Sequence, residues 1–285
     1  MIKYIRAVIV CLLLIINLSC MGLMVLLLAL LNMLTLGLLQ NSFDVFVNTL
    51  YRIWVKGNKF CLIVILGVEI DPILIKKQKW TVMICNHQSW MDILLLQILF
   101  VDTLPPLKFF MKQSLIWVPF VGVVAKLLNY PFIKRYSVSE VKRNPKLKMH
   151  NEQSMTHACK QLLQQPTALV NFLEGTRFTV EKHKIKSSSY KFLLPAHSKG
   201  LGHVFTAWFQ VRPNLCNVAI KYNHADPSFA VWLLGGIRKV EVFCQVIDFD
   251  DDWVSDGSSG FKLKLQKMVN KIWQNKDHWL EFGGK

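Results

Sequence analysis

At 285 residues the chain has room for one full-sized α/β domain plus an attachment segment, and little for a second catalytic domain, so one active site is expected. Hydrophobic residues make up 52% and mean hydropathy is +0.31, both high for a soluble protein, with the excess gathered near the N-terminus. Lysine and arginine total 34 against 18 acidic residues, a formal net charge of +16, which points to a polyanionic partner. A pI near 9.6 fits nucleic acid, yet neither paired Cys/His zinc spacing nor a glycine-aromatic RNP run accompanies it. No specific nucleic acid is therefore expected, and anionic membrane lipids are the favoured partner. The seven cysteines, at 11, 20, 61, 85, 159, 216 and 244, are odd in number and widely spaced, which implies neither a disulfide framework nor a zinc site. They read as small buried apolar residues in a reducing compartment, so the catalytic part is expected in the cytoplasm.

From Ala7 to Phe43 no residue is charged. That run exceeds the roughly 20 residues a helix needs to cross the hydrocarbon layer, so it can span with a tilt or fold into a re-entrant pair, and Asn17, Ser19 and Gly22 mark a break. Lys3 and Arg6 ahead of an apolar core also resemble a signal peptide, but the run continues well past Cys20, which favours a retained anchor. Phe43, Phe46, Val47, Leu50, Ile53 and Trp54 then recur at helical spacing, predicting an amphipathic helix along the membrane or against the domain, ended by Gly57-Asn58. Residues 1–60 are thus expected to be anchor and amphipathic helix, and 61–285 the catalytic domain.

Short apolar runs alternating with helical stretches follow: strands at 68–70, 81–85 and 107–111, and helices at 89–100 and 114–129. Residues 130–133 read as a strand delivering Lys134 and Arg135, 140–150 as a solvated basic loop, 155–165 as a helix and 167–173 as a strand. Residues 181–189 look like a basic, serine-rich loop, 217–221 and 239–246 like strands, 248–260 like a connection and 261–273 like a closing amphipathic helix. This alternation predicts an α/β fold with a mixed, largely parallel sheet flanked by helices.

Asn86 and His87 emerge at the end of the apolar strand Thr81–Cys85, where open α/β sheets place their ligands. Ser89 or Asn86 is placed to cap the next helix, and Asp92, in its first turns, can fold back toward His87. A carboxylate on one ring nitrogen fixes the tautomer and leaves the other nitrogen to act as a general base. Taken alone, the pair is equally what a polar turn and a helix-start acid would give. Phe172-Leu173 ends a second strand, Gly175 permits a tight backbone turn, and Arg177 offers a planar fork suited to phosphate, with the turn's amides as further donors. Glu174 is expected to orient Arg177 or cap the turn. Arg135 is a second phosphate candidate, or a surface arginine.

Asn86-His87 with Asp92 resembles the NHx4D block of the 1-acylglycerol-3-phosphate acyltransferase superfamily; 131–135 and 172–177 are similar to its second and third blocks. Order and spacing agree over about residues 60 to 245. The strings at 84–92, 117–120, 132–136 and 170–184 look like the bacterial inner-membrane branch akin to lysocardiolipin-type enzymes. The resemblance implies an acyltransferase-like fold and one displacement: His87, oriented by Asp92, removes the proton from the sn-2 hydroxyl of a lysophospholipid such as lysophosphatidic acid or lysophosphatidylglycerol. The hydroxyl attacks the thioester of acyl-CoA or acyl carrier protein, without covalent acyl-enzyme, cofactor or metal. Arg135, Glu174, Gly175, Thr176 and Arg177 are the implied acceptor-binding residues. Two departures stand out: Asn217-Val218-Ala219-Ile220 lacks the proline usual in the fourth block, and Leu194 to Gly200 replaces a basic, glycine-containing segment. Two other readings compete. In one, a hydrolase uses Cys85 or Ser89 as nucleophile, although no G-x-S-x-G elbow surrounds either. In the other, a basic membrane or RNA-binding protein keeps the fold without activity.

Overall fold

The computed structural model describes every residue except 37, 39, 119, 120, 134, 135, 137, 255–258, 284 and 285, together with all side chains but those and 40, 41, 121, 123, 138, 139, 141, 148 and 259. Helix α1 (Ile2–Leu34) is one unbroken 33-residue helix, about 50 Å long at 1.5 Å per residue, and it is apolar and long enough to cross a membrane. The expected break at Asn17 is absent. The Asn17 amide is satisfied sideways instead, Nδ2 donating to Trp54 O and to Asn58 Oδ1 on α2 (Gln40–Lys59), both at 2.9 Å.

The same contact explains why Gly57-Asn58 does not end α2, which runs on into a π-helical segment (Phe60–Ile65). A Cβ on Gly57 would lie 2.8 Å from Asn17 Nδ2, so glycine here allows the two helices to approach. Gly57→Val is therefore expected to lower stability by about 1–3 kcal/mol, the usual range for overpacking, read by thermal unfolding in detergent. An unchanged melting temperature would mean that α1 and α2 are not packed this way.

Six strands form the main sheet: β1 (Glu69–Ile70), β2 (Thr81–Cys85), β3 (Leu107–Phe109), then β6 (Ala168–Phe172), β7 (Asn214–Tyr222) and β8 (Lys239–Ile247). Their order is β1-β8-β7-β2-β6-β3. The four strands β7, β2, β6 and β3 run parallel, β8 is antiparallel to β7, and β1 is parallel to β8. β2 reads as a continuous apolar run because both its faces are covered. Met83 and Cys85 face a core built with α1, α2 and α3 (Met91–Phe100). Val82 and Ile84 face a second core built with α6 (Lys146–Gln161), α8 (Lys199–Ala207) and α10 (Ser259–Phe282). Cys85 pairs with Phe172 on one side and Val218 on the other, so the segments after β2 and β6 leave the sheet side by side.

Several expectations need correction. The 107–111 run divides between β3 and β4 (Met111–Lys112), and β4 pairs with β5 (Phe132–Ile133) in a separate two-stranded ribbon. The 114–129 stretch is a 3₁₀ turn (Gln113–Trp117) and a short α4 (Val121–Leu127), not one helix. The expected basic loop at 140–150 is helical, α5 (Val138–Arg143) followed by α6. Pro145 sits at the N-cap of α6, where a missing N–H breaks no hydrogen bond. Residues 181–189 include α7 (Val180–Ile185), capped by Thr179 Oγ1, which accepts from Lys182 N at 3.2 Å. Helices α8 and α9 (Phe229–Leu233) had no periodicity long enough to read, and α10 runs nine residues beyond the expected end, to Phe282. The cysteines are free thiols, with Cys20 exposed on α1.

Candidate active site

Asn86 does not cap α3. Its side chain closes a bridge to β7, with Nδ2 donating to Ile220 O and Ile220 N donating to Oδ1, both at 2.9 Å and both buried. Two adjacent parallel strands are thus clamped beyond the last ladder pair, which fixes where the next residue points.

That residue is His87, with Nδ1 2.8 Å from Asp92 Oδ2. Asp92 is fully buried, and the same oxygen accepts from Gln88 N at 2.7 Å and Ser89 N at 2.9 Å, while Oδ1 accepts from the Tyr222 hydroxyl. Burial, then the Asp92 charge, push the Tyr222 phenol well above its ordinary value, so it stays a donor. A carboxylate facing Nδ1 places the ring proton there and leaves the Nε2 lone pair free to accept one. The ring also stacks on Phe172, centroids 4.1 Å apart at 16°, and 15% of the side chain stays accessible. One hydrogen bond and one stacked face therefore hold a reachable imidazole.

The turn after β6 lies alongside. Gly175 has φ +69°, a backbone conformation that disfavours side chains, although no atom lies within 4 Å of where a Cβ would sit. Phe178 N donates to His87 O at 2.7 Å, joining the two turns. Glu174, expected to orient Arg177 or cap the turn, receives backbone amides instead of pairing with Arg177. It is buried, Oε1 accepting from His87 N at 2.9 Å and Oε2 from Leu194 N at 3.1 Å. Burial pushes its carboxyl up to about 7 against the opposing pull of those two amides and of the Lys276 ammonium. Arg177 is exposed, its guanidinium 4.8 Å from the centre of the Trp90 ring, and Thr176 Oγ1 accepts from Lys182 Nζ at 2.7 Å. Arg135 and Lys134 lie outside the described residues.

Lys182, Lys276 and Tyr222 escaped the sequence reading. Lys182 Nζ also donates to the Arg177 carbonyl at 3.1 Å, so it braces the turn that carries Arg177 and adds a cation there. Tyr222 closes β7 two residues after Ile220, on the same strand face, and that phase was its signal. Lys276 lies three and four residues after Trp273 and Ile272, on the buried stripe of α10. Its Nζ donates to Val218 O at 2.6 Å and Ile84 O at 3.3 Å, and burial pushes its ammonium down to about 8.

The nucleophiles of a hydrolase are poorly presented. Cys85 is fully buried, which pushes its thiol well upward, and Ser89 Oγ donates to Pro227 O while accepting from Met91 N at 3.2 Å. Among the described residues no cluster of His, Cys, Asp or Glu could hold a metal ion.

The Acyltransferase family profile matches residues 71–218, which include β2, α3, β6 and both turns of the site. The fold is similar to that of the 1-acyl-sn-glycerophosphate (LPA) acyltransferase PlsC from Thermotoga maritima, at 16% sequence identity over 99% of each chain and a TM-score of 0.61. With more than half of its length matched by the profile, the chain belongs to the Acyltransferase family and is an acyltransferase.

Proposed function

We propose that this acyltransferase moves a fatty acyl group from acyl-CoA or acyl carrier protein to the sn-2 hydroxyl of a lysophospholipid such as lysophosphatidic acid. The single observation behind this reading is the 2.8 Å contact between His87 Nδ1 and the buried Asp92 carboxylate, which leaves Nε2 as a proton acceptor in an accessible turn. In the step so drawn, Nε2 takes the hydroxyl proton as the oxygen attacks the thioester carbonyl. The C–O bond forms, the C–S bond breaks, and His87 returns the proton to the departing thiolate. In this reading the acyl group passes directly from the thioester to the hydroxyl, and the step draws on no covalent acyl-enzyme and no cofactor.

Arg177, with the Gly175-Thr176 turn and Lys182 beside it, suits the acceptor's phosphate. The cation–π contact with Trp90 engages the guanidinium through the ring and not through its N–H donors, which suits a bidentate contact to phosphate. Helix α1 is read as the membrane anchor, residues 61–285 as the catalytic domain on the cytoplasmic side, and the membrane as the bacterial inner membrane. The length and hydropathy of α1 and the net charge of +16 support that placement.

The test is the purified protein with labelled acyl-CoA and a panel of lysophospholipids, read by lipid mass spectrometry. Diacyl product is expected, with lysophosphatidic acid or lysophosphatidylglycerol among the acceptors. Release of free fatty acid alone, or no turnover of any acceptor, would overturn the reading. In the same assay Arg177→Ala is expected to raise KM for the acceptor about 10–100-fold with kcat nearly unchanged, the size of one charge-assisted contact. An unchanged KM would place the phosphate elsewhere.

A further inference from the structure

The proposed reaction leaves one pair of thiols unused. Cys216 on β7 and Cys244 on β8 share a face of the sheet and sit one diagonal step apart, since Cys216 pairs with Val246 and Cys244 with Val218. Their Sγ atoms are 3.4 Å apart, in hydrogen-bond contact, and among the described residues no other two thiols are so joined. Cys216 is buried, whereas Cys244 is half-buried and lines an open cavity of about 400 Å³ together with Asp71, Ile73, Glu241 and Trp279. One sulfur of the pair is thus open to a small reagent, and the second is already in contact with the first.

We infer that Cys216 and Cys244 are a modification site: a dithiol that a hydroperoxide, hydrogen peroxide included, converts to a reversible disulfide, with acyl transfer lowered while the bridge stands. Cys244 is the attacking sulfur. The hydrogen bond from Cys216 holds its thiol below the ordinary value, while the same bond and then burial hold Cys216 above it. The Cys244 thiolate attacks the peroxide oxygen, the O–O bond breaks, an alcohol or water leaves, and Cys244 becomes a sulfenic acid. Cys216 then attacks that sulfur, the S–S bond forms, the S–O bond breaks and water departs. Two thiols have lost two electrons to one hydroperoxide, and a reducing dithiol returns them by exchange. Closing from 3.4 Å to a bond of about 2.05 Å draws β8 against β7 along the diagonal. Further along the same strand β7, Ile220 holds the Asn86 clamp and the Tyr222 hydroxyl donates to Asp92. The bridge therefore acts on His87 through the strand beside it. Its effect on turnover rests on the reading of His87 as the base; the formation of the bridge does not.

In the experiment the full chain in detergent is treated with hydrogen peroxide, digested without reduction and read by mass spectrometry, with kcat and amide exchange measured on the same sample. A Cys216–Cys244 bridged peptide is expected, lighter by two hydrogens than the two thiol peptides, with kcat lowered about tenfold and both changes reversed by dithiothreitol. Cys216→Ala and Cys244→Ala are each expected to keep their kcat after peroxide, and either one serves if the other folds poorly. Bridging through the exposed Cys20 instead, with Cys216 and Cys244 still thiols, would overturn the inference. So would a Cys216–Cys244 bridge that leaves kcat unchanged, or an equal loss of kcat in the alanine variants. If the untreated wild-type chain turns over no lysophospholipid, the proposed function has failed, and the peptide map with amide exchange at Ile220 decides the inference separately. Exchange there is expected to quicken on bridging and to recover on reduction; unchanged exchange would contradict the inference.

Discussion

Asp92→Asn is expected to cut acyl transfer by about 10²–10⁴-fold while leaving the fold in place, the range for losing the orienting carboxylate behind a general-base histidine. Asparagine can present its oxygen where Oδ2 receives His87, Gln88 and Ser89, and its NH₂ where Oδ1 receives Tyr222. Tyr222 then needs only to turn its hydroxyl, so shape and most hydrogen bonds survive. The negative charge is lost, and with it the stabilisation of the imidazolium that forms as His87 takes the proton. Steady-state kcat beside thermal unfolding separates the two contributions. A loss below about tenfold, with stability intact, would mean that Asp92 holds the turn and does little for the chemistry.

Asn86→Ala carries the largest expected effect on stability. It leaves the Ile220 N–H and C=O buried with neither partner, at about 1–3 kcal/mol for each orphaned group, so a total of about 2–6 kcal/mol is expected from denaturant unfolding. Because the clamp holds the strand from which His87 emerges, kcat should fall as well, and amide exchange at Ile220 should quicken. Undiminished protection at Ile220 would show that the strands are held together without Asn86.

Much of this architecture was legible because its signals are local. Thr81–Cys85 and Ala168–Phe172 are short, unbroken apolar runs, as parallel strands covered on both faces require, and each ends in a polar or glycine turn. Those two strand ends are in register, so the His87–Asp92 segment and the Glu174–Arg177 turn meet. What could not be read depends on contacts between residues far apart in the chain. Asn17 resembled a break because a lone amide in an apolar helix has no local partner, whereas its partners lie on α2. Asn86 resembled a cap for α3, yet it bonds to Ile220, more than a hundred residues away. Nothing local shows that the Glu174 carboxylate passes over its sequence neighbour Arg177 and points into the protein, toward the amides of His87 and Leu194. In the basic segments, composition outweighed cap signals: Pro145 and Thr179 each begin a helix that the run of lysines had disguised as loop.

Whether His87 is the base is tested most directly by acyl transfer in His87→Ala beside the wild-type chain, with labelled acyl-CoA and lysophosphatidic acid. Position 87 touches Asp92 and Phe172 through its side chain, while its backbone amide and carbonyl keep their bonds to Glu174 and Phe178 whatever the side chain, so the variant is expected to fold. Diacyl product is expected to fall by about 10²–10⁴-fold, with thermal unfolding still cooperative. Transfer retained within about tenfold of wild type by a folded His87→Ala chain would contradict it.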